Sequence, residues 1–278
     1  MSAAPPSRTV LISGLGLMGG SLAAAVSAVG WKVLLHHRRR DVADAAAAHG
    51  WGTAIDGFVE AAHADVAVVC TPVSVIAETV QAIAAATRAV ITDVGSTKGD
   101  LCAALADLGG RFLGSHPMCG SHLQGLANAD VDLYRGKTTI VTPTAGTPAP
   151  ALALIEELWS AAGSRVLRLS PADHDRAVAE ASHLPHLLAS LAASLLSAEA
   201  APAAASGFRD TTRIAAGSPE LWRDILLTNR GAVAPLLARS RARLDELERL
   251  LAAGDADGIV RWLSAGKAGR QRFDAIQR

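Results

Sequence analysis

The hydrophobic pattern changes character once along the chain. Up to about residue 170, short aliphatic and β-branched runs recur at Thr9–Ser13 (TVLIS), Lys32–His36 (KVLLH), 65–70 (DVAVVC) and 89–92 (AVIT). Glycine, proline or polar residues close each run, and stretches of helical composition separate them. The run at 65–70 is almost wholly apolar, as a strand buried on both faces requires. Strands alternating with helices predict a doubly wound parallel sheet. Further strands are expected at 111–113, 138–141 and 165–169, with a helix over 151–162 between the last two.

After Ser170-Pro171 the β pattern stops. Residues 173–200, 219–253 and 255–268 read as helices, with Pro185 kinking the first and Gly254 stopping the second, and 200–205 as a loop. The segment LPHLLASLAASLLSAEAA is apolar nearly all round, so its helix must be covered on all sides. It is expected at the centre of a helical domain or between two subunits, and a homodimer through this half is the reading. The predicted organisation is a Rossmann-type dinucleotide-binding domain over 1–170 and an all-helical substrate-binding and dimerisation domain over 171–278.

Composition narrows the function classes. Lys plus Arg (26) equals Asp plus Glu (26), so no global field draws in nucleic acid or a membrane surface, and an anionic ligand must be held by local charge. The three cysteines, Cys70, Cys102 and Cys119, are odd in number and far apart, which fits a reducing compartment better than a disulfide framework. The opening MSAAPPSR has no apolar core and no uncharged apolar run reaches spanning length, so a cytoplasmic protein is expected.

The first run leads directly into Gly14-Leu15-Gly16-Leu17-Met18-Gly19 and then into a helical stretch. In that context the glycines have separate duties: Gly14 permits the tight turn, Gly16 lets backbone approach a pyrophosphate, and Gly19 lets helix pack on strand. A glycine-rich turn with no ligand is the alternative. The second run ends where the adenosine ribose of a nicotinamide dinucleotide is read, and there stand His36, His37, Arg38, Arg39 and Arg40 in place of an acid. Arginine can clasp a 2′-phosphate that an acid would repel, which favours NADP over NAD. Alternatively these arginines are a solvated helix start and His37 tolerates NAD. Thr71-Pro72 stops the third strand at the same sheet edge.

The stretch 93–125 carries the candidate chemistry: DVGSTKGD, a short helical segment, then GRFLGSHPMCGSHLQG. If the runs before these two loops are neighbouring strands, Ser96, Lys98 and His116 meet at the carboxyl edge of the sheet, where open α/β sheets bind ligands. A histidine beside a nicotinamide can accept a hydroxyl proton while hydride leaves the same carbon. From spacing alone, His116 is either that base or a structural residue of a loop held by Pro117 and Gly120. The run His116-x-x-Cys119-x-x-His122 matches no common zinc spacing and lacks a fourth ligand, so no metal is expected. A second polar set comprises His174-Asp175, His183, His186, Arg209, Asp210 and Arg213, in which an arginine near 209–213 suits a carboxylate.

Taken together and in order, GLGLMGGS, DVGSTK, SHPMCG, His174-Asp175, SHLPH, GFRDTTRIA and LWRDI resemble the prephenate/arogenate dehydrogenases of tyrosine biosynthesis over about residues 8–250. That resemblance implies oxidative decarboxylation of a cyclohexadienol: hydride passes to NAD(P), carbon dioxide leaves, and the ring becomes aromatic. It implies that His116 is the base on the ring hydroxyl, with Ser96 touching both hydroxyl and nicotinamide. It also implies that Arg213 binds a substrate carboxylate, that His186 positions the substrate, and that the backbone near Ser206 and the ring of Trp222 close the pocket from a partner subunit. His183 becomes the structural histidine of its pair. The cofactor would rest on Gly14, Gly16, Leu17, Met18, Gly19, His37, Arg38, Thr71, Pro72 and Ser96.

Three departures from the family pattern stand out: His37-Arg38 replace a common acid, His122 stands where many relatives carry Glu, and Ser206 where many carry Gly. No regulatory domain is expected after the helices. A β-hydroxyacid-type reductase would need a catalytic lysine on the first helix of the second domain. A nicotinamide-sensing module without chemistry would bind cofactor and not turn over.

Overall fold

The computed structural model describes residues 8–119 and 123–276. Two compact units divide the chain, the first ending at Arg230 and the second beginning at Gly231. In the first unit β1 (Thr9–Ser13), β2 (Lys32–His36), β3 (Thr53–Ala54), β4 (Val66–Val69) and β5 (Val90–Asp93) form a parallel sheet in the order β3-β2-β1-β4-β5. The crossovers are α1 (Leu17–Ala28), α2 (Arg40–Ala48) and α3 (Val73–Ala86). β1 and β4 lie at the centre of the sheet, which is why Val10, Leu11, Ile12 and all four residues of β4 are fully buried. One apolar cluster joins Val10, Ile12, Leu22, Val66 and Val68 to Trp159, and the other joins Leu11, Ala67 and Val69 to Ile76, Val80 and Ile83.

Beyond β5 the sheet continues through one parallel bridge between Ile91 and Phe112, so the predicted run at 111–113 does lie beside β5. It then passes into β6 (Gly114–Pro117), β7 (Thr138–Thr142) and β8 (Arg165–Arg168), with α4 (Gly99–Ala104) before β6 and α5 (Ala149–Ala161) packed behind β7 and β8. β7 and β8 are parallel, but β6 and β7 are antiparallel, which strand and helix alternation did not indicate. The physical reason lies in the connection: a parallel neighbour needs a helical crossover, and between β6 and β7 the described chain has only a 3-10 turn at Leu126–Asn128. His116 is therefore a strand residue, opposite Ile140, rather than a loop residue.

α6 (Pro171–Val178) starts on Ser170, whose hydroxyl accepts from the Asp173 N–H, with Pro171 in the first turn. A π turn over Ala179–His183 precedes α7 (Leu184–Ser194). Pro185 explains it: with no N–H to continue the ladder, the preceding turn widens and Leu184 N–H bonds Ala179 C=O. The helix expected to reach residue 200 stops at Ser194, and Leu188, Leu191 and Leu195 are exposed on and just after α7. α8 (Ser206–Thr212) and α9 (Pro219–Thr228) complete the first unit. The second unit holds most of α10 (Arg230–Ala253) and all of α11 (Ala256–Ile276), separated by Gly254 at φ +63°. It exposes Leu244, Leu251, Val260 and Leu263. Among the described residues no helix is long and apolar enough to cross a membrane.

Candidate active site

The glycine loop behaves as three different positions. Gly14 is at φ +99°, and a Cβ there would lie 2.7 Å from the Cys70 carbonyl. A Cβ on Gly19 would come within 1.9 Å of Gly14 O, so α1 can approach β1 only without one. Gly16, by contrast, has nothing within 4 Å of where its Cβ would be, leaving its face open to a ligand. Leu17, Met18 and Gly19 form the first turn of α1, whose N–H groups have no intrahelical acceptor, and no acid offsets the positive end of that helix. Tyr134 O–H donates to Met18 O at 2.7 Å and fixes the turn from behind.

Beside Gly16 opens a cleft of about 540 Å³ lined by His37, Arg38, Arg39, Val42 and Leu126. Arg39 pairs with Asp41 at 3.1 Å, and Arg40 with Asp44 at 2.8 Å and Asp56 at 2.5 Å. Arg38 has no ion pair among the described residues and is exposed at the cleft. Across the sheet edge, the Thr71 hydroxyl is buried without a hydrogen-bond partner among the described residues, and Pro72 caps α3. An open glycine, an unopposed helix terminus, an unpaired arginine and an unsatisfied hydroxyl fit an anionic dinucleotide.

The second loop is built around Asp93. Its Oδ2 accepts from Gly95 N–H at 2.7 Å and holds the Lys98 ammonium, and its Oδ1 accepts from Ser115 N–H at 3.1 Å. Lys98 and Asp93 are both fully buried. Lys98 thus points into the protein as Asp93's partner instead of offering a free cation at the sheet edge. Gly95 is required here, since a Cβ would meet Asp93 Oδ2 at 2.8 Å and Ile76 Cδ1 at 2.9 Å. Ser96 follows, half-buried at the loop. Ser115 is locked further by Thr92 Oγ1 at 2.6 Å and by Trp159 Nε1–H at 3.0 Å. His116 is thereby mounted on a strand whose preceding residue makes three fixed bonds.

Nδ1 of His116 lies 2.9 Å from Nε2 of His174, and Nδ1 of His174 lies 2.8 Å from Oδ1 of Asp175. Asp175 Oδ1 also accepts from Lys98 N–H and Oδ2 from Gly99 N–H, both at 2.8 Å. Burial holds His116 well below the ordinary imidazole value, and the neighbouring His174, Lys98 and His183 act in the same direction. For Asp175 burial pushes upward, but the bonds from His174 and the two backbone N–H groups outweigh it and hold the carboxyl below its usual range. These partners were not assigned from the sequence; the only signal was the His174-Asp175 dipeptide itself.

The widened turn brings His183 and His186 inward together. His183 Nδ1 lies 3.1 Å from Asn229 Nδ2, which also donates to Asp175 C=O at 2.9 Å, and burial pushes His183 down to about 4. His186 stacks on Trp222, ring centroids 3.5 Å apart and planes 12° from parallel. Its Nδ1 is buried without a partner among the described residues, and burial lowers its pKa against a backbone hydrogen bond with Ile214. Trp222 thus meets His186 within one chain, and no partner subunit is needed for that contact. Ser206 at the start of α8 and Arg213 just after it are exposed, with no ion pair to Arg213 among the described residues. His122 and Gly120 lie outside the described residues. Among those described, no three His, Cys, Asp or Glu side chains gather as a metal site.

A Rossmann-type sheet with an open glycine loop and a strand-mounted histidine at its carboxyl edge defines a nicotinamide-dependent dehydrogenase. Residues 22–168 match the family described as prephenate dehydrogenase, nucleotide-binding domain, and residues 170–265 match prephenate dehydrogenase, dimerization domain. The cyclohexadienyl dehydrogenase of Zymomonas mobilis is 33% identical over 268 residues, covering 91% of this chain and 92% of its own. The structure of prephenate dehydrogenase from A. aeolicus, in complex with hydroxyphenyl propionate and NAD+, superposes with a TM-score of 0.88 at 29% identity, covering 98% of this chain and 100% of that one. Synechocystis arogenate dehydrogenase gives 0.87 at 28%, covering 96% and 100%. The chain belongs to the prephenate dehydrogenase family and is an NAD(P)-dependent oxidoreductase.

Proposed function

We propose that the chain oxidatively decarboxylates prephenate to 4-hydroxyphenylpyruvate, and that the carrying observation is His116, neutral and strand-held at the same sheet edge as the open glycine loop. Nicotinamide, when bound, supplies the hydride acceptor. His116 takes the proton of the ring hydroxyl, Ser96 holds that oxygen in line, and loss of carbon dioxide leaves an aromatic ring. Aromatisation drives the reaction, so alignment and proton removal are the main tasks left to the protein. Arg213 binds a substrate carboxylate, and His186, backed by Trp222, orients the ring. The backbone around Ser206 meets the far end of the substrate side chain. Arogenate, converted to tyrosine, is the second reading, favoured by the likeness to an arogenate dehydrogenase.

NADP is the preferred cofactor in this reading, because Arg38, which has no ion pair among the described residues, can meet a 2′-phosphate while Arg39 and Arg40 are engaged by acids. The functional boundary falls near residue 170, where the two family matches meet. The three unpaired cysteines agree with a cytoplasmic setting. The test is a steady-state assay crossing prephenate and arogenate with NAD and NADP, on the wild type and Arg213→Ala. Turnover with prephenate and NADP should dominate, and Arg213→Ala should raise the substrate KM by about tenfold or more while kcat changes less. Silence in all four combinations with cofactor binding intact would sink the function; an unchanged KM would reassign the carboxylate.

The chain acts as a homodimer through its helical part. What supports this is the match to a dimerization domain, together with exposed leucines on α7 in the first unit and, separately, on α10 and α11 in the second. Light scattering on the purified chain should give twice the monomer mass at micromolar concentration. A monomer there refutes it.

A further inference from the structure

Resting on the reading of His116 as the base, we propose that Asp175 and His174 are positioning residues that dictate which ring nitrogen of His116 carries the proton, leaving Nε2 free to accept. The geometry is a linear chain: Asp175 Oδ1 to His174 Nδ1 at 2.8 Å, then His174 Nε2 to His116 Nδ1 at 2.9 Å. Direction enters at the carboxylate end. Both oxygens of Asp175 accept backbone N–H bonds from the start of α4, an arrangement that favours the ionised, acceptor-only form. His174 Nδ1 must then be the donor. In neutral His174 the proton is spent on Nδ1, so Nε2 is an acceptor. His116 Nδ1 must in turn donate, and its Nε2 keeps a lone pair. With the order reversed, Nε2–H of His116 would face the substrate hydroxyl and could not take its proton.

The chain is also rigid at each member. His174 is fully buried and Asp175 nearly so, and Asn229 Nδ2 holds the Asp175 carbonyl at 2.9 Å. The charged or titratable neighbours of His116 are Lys98, His174 and His183, and the Lys98 ammonium is itself paired with Asp93. In the reaction the substrate O–H bond breaks and an N–H bond forms at His116 Nε2. No proton moves along the chain: His174 keeps its Nδ1 proton and Asp175 stays ionised. The resulting His116 imidazolium still donates through Nδ1 to His174.

The test reads the protons directly, by long-range 1H–15N correlation on the full chain with labelled histidine, assigned with single histidine variants. In the wild type at neutral pH, His116 and His174 should each carry one proton, on Nδ1. Asp175→Asn keeps the shape but can present an amide N–H to His174 Nδ1, which reverses the chain, so His116 should move to the Nε2–H form. Its kcat should fall by about 100-fold or more, with substrate KM and cofactor affinity within about threefold, the pattern of a lost base rather than a disturbed site. His174→Gln and His174→Leu leave the backbone bonds of Asp175 in place and serve if Asp175→Asn does not fold. The glutamine oxygen can accept from His116 Nδ1, so His174→Gln should retain roughly tenfold more kcat than His174→Leu. A proton on His116 Nε2 in the wild type, protons on both nitrogens of His174, or equal kcat in the two His174 variants would overturn the proposal. His116→Asn separates the two ideas: if it abolishes turnover while the two His174 variants have equal kcat, the positioning chain fails and the base stands. If His116→Asn turns over normally, the base reading fails, and the wild-type spectrum still decides the chain.

Discussion

His116→Asn should lower kcat by about two to four orders of magnitude while leaving cofactor affinity within about twofold, the usual scale for losing a general base. Asparagine is close in size and can still accept from or donate to His174, so β6 and its Ser115 anchors should stay in place. What disappears is the Nε2 lone pair. The same reading sets the sign of the pH dependence in the wild type. Burial lowers the His116 pKa, with His174, Lys98 and His183 nearby acting in the same direction, so the unprotonated, active form persists below the ordinary value of 6.5. Activity is lost only as pH falls through that lowered value, and the acid limb of kcat/KM should therefore lie below pH 6.5. Stopped-assay rates from pH 5 to 9 measure the limb, and fluorescence titration measures the cofactor. Normal turnover in His116→Asn would remove the residue from the mechanism.

The parallel sheet and the glycine loop were legible because both are written locally: β-branched runs at strand length, and three glycines whose spacing follows from steric demands one turn apart. The neighbouring of 89–92 and 111–113 was also legible, and with it the meeting of the two loops. What local pattern could not carry was direction and partnership. The antiparallel turn-back of β7 depends on a connection that lacks a helix, a feature only visible once the chain is placed. Lys98 was legible as a residue of the sheet edge beside Ser96 and His116, but its inward pairing was not, because its partner, Asp93, is five residues away on the strand end and reaches it only when the loop folds back. His174-Asp175 is 58 residues from His116 in sequence, and no periodicity joins them. Pro185 announced a disturbance, and the structure gives it its form: a π turn that directs His183 and His186 to the same side. The apolar character of 184–201 was legible as a demand for cover, but what covers Leu188 and Leu191, which are exposed, is not written in the local pattern.

Asp93→Ala should be the most destabilising single change at the site, by roughly 3 to 5 kcal/mol, because it leaves a buried ammonium without its counter-charge. The Lys98 and Asp93 side chains have no solvent exposure, so water cannot replace the lost partner without opening the fold. Two backbone donors, Gly95 N–H and Ser115 N–H, lose their acceptor at the same time. For a chain of this size each kcal/mol moves Tm by about 2 to 4 °C, so calorimetry should find a drop on the order of 10 °C. Because Asp93 ties the loop carrying Ser96 to the strand carrying His116, turnover should fall as well, even below the melting range. The double variant Asp93→Ala with Lys98→Met distinguishes causes. If the unpaired charge dominates, removing it recovers a large part of the lost stability, since methionine keeps most of the lysine volume without the ammonium. If the orphaned backbone donors dominate, the double variant stays as unstable as the single one. A Tm for Asp93→Ala within about a degree of wild type would show that the pair contributes nothing to folding, and the anchoring of His116 would then rest on Thr92 and Trp159 alone.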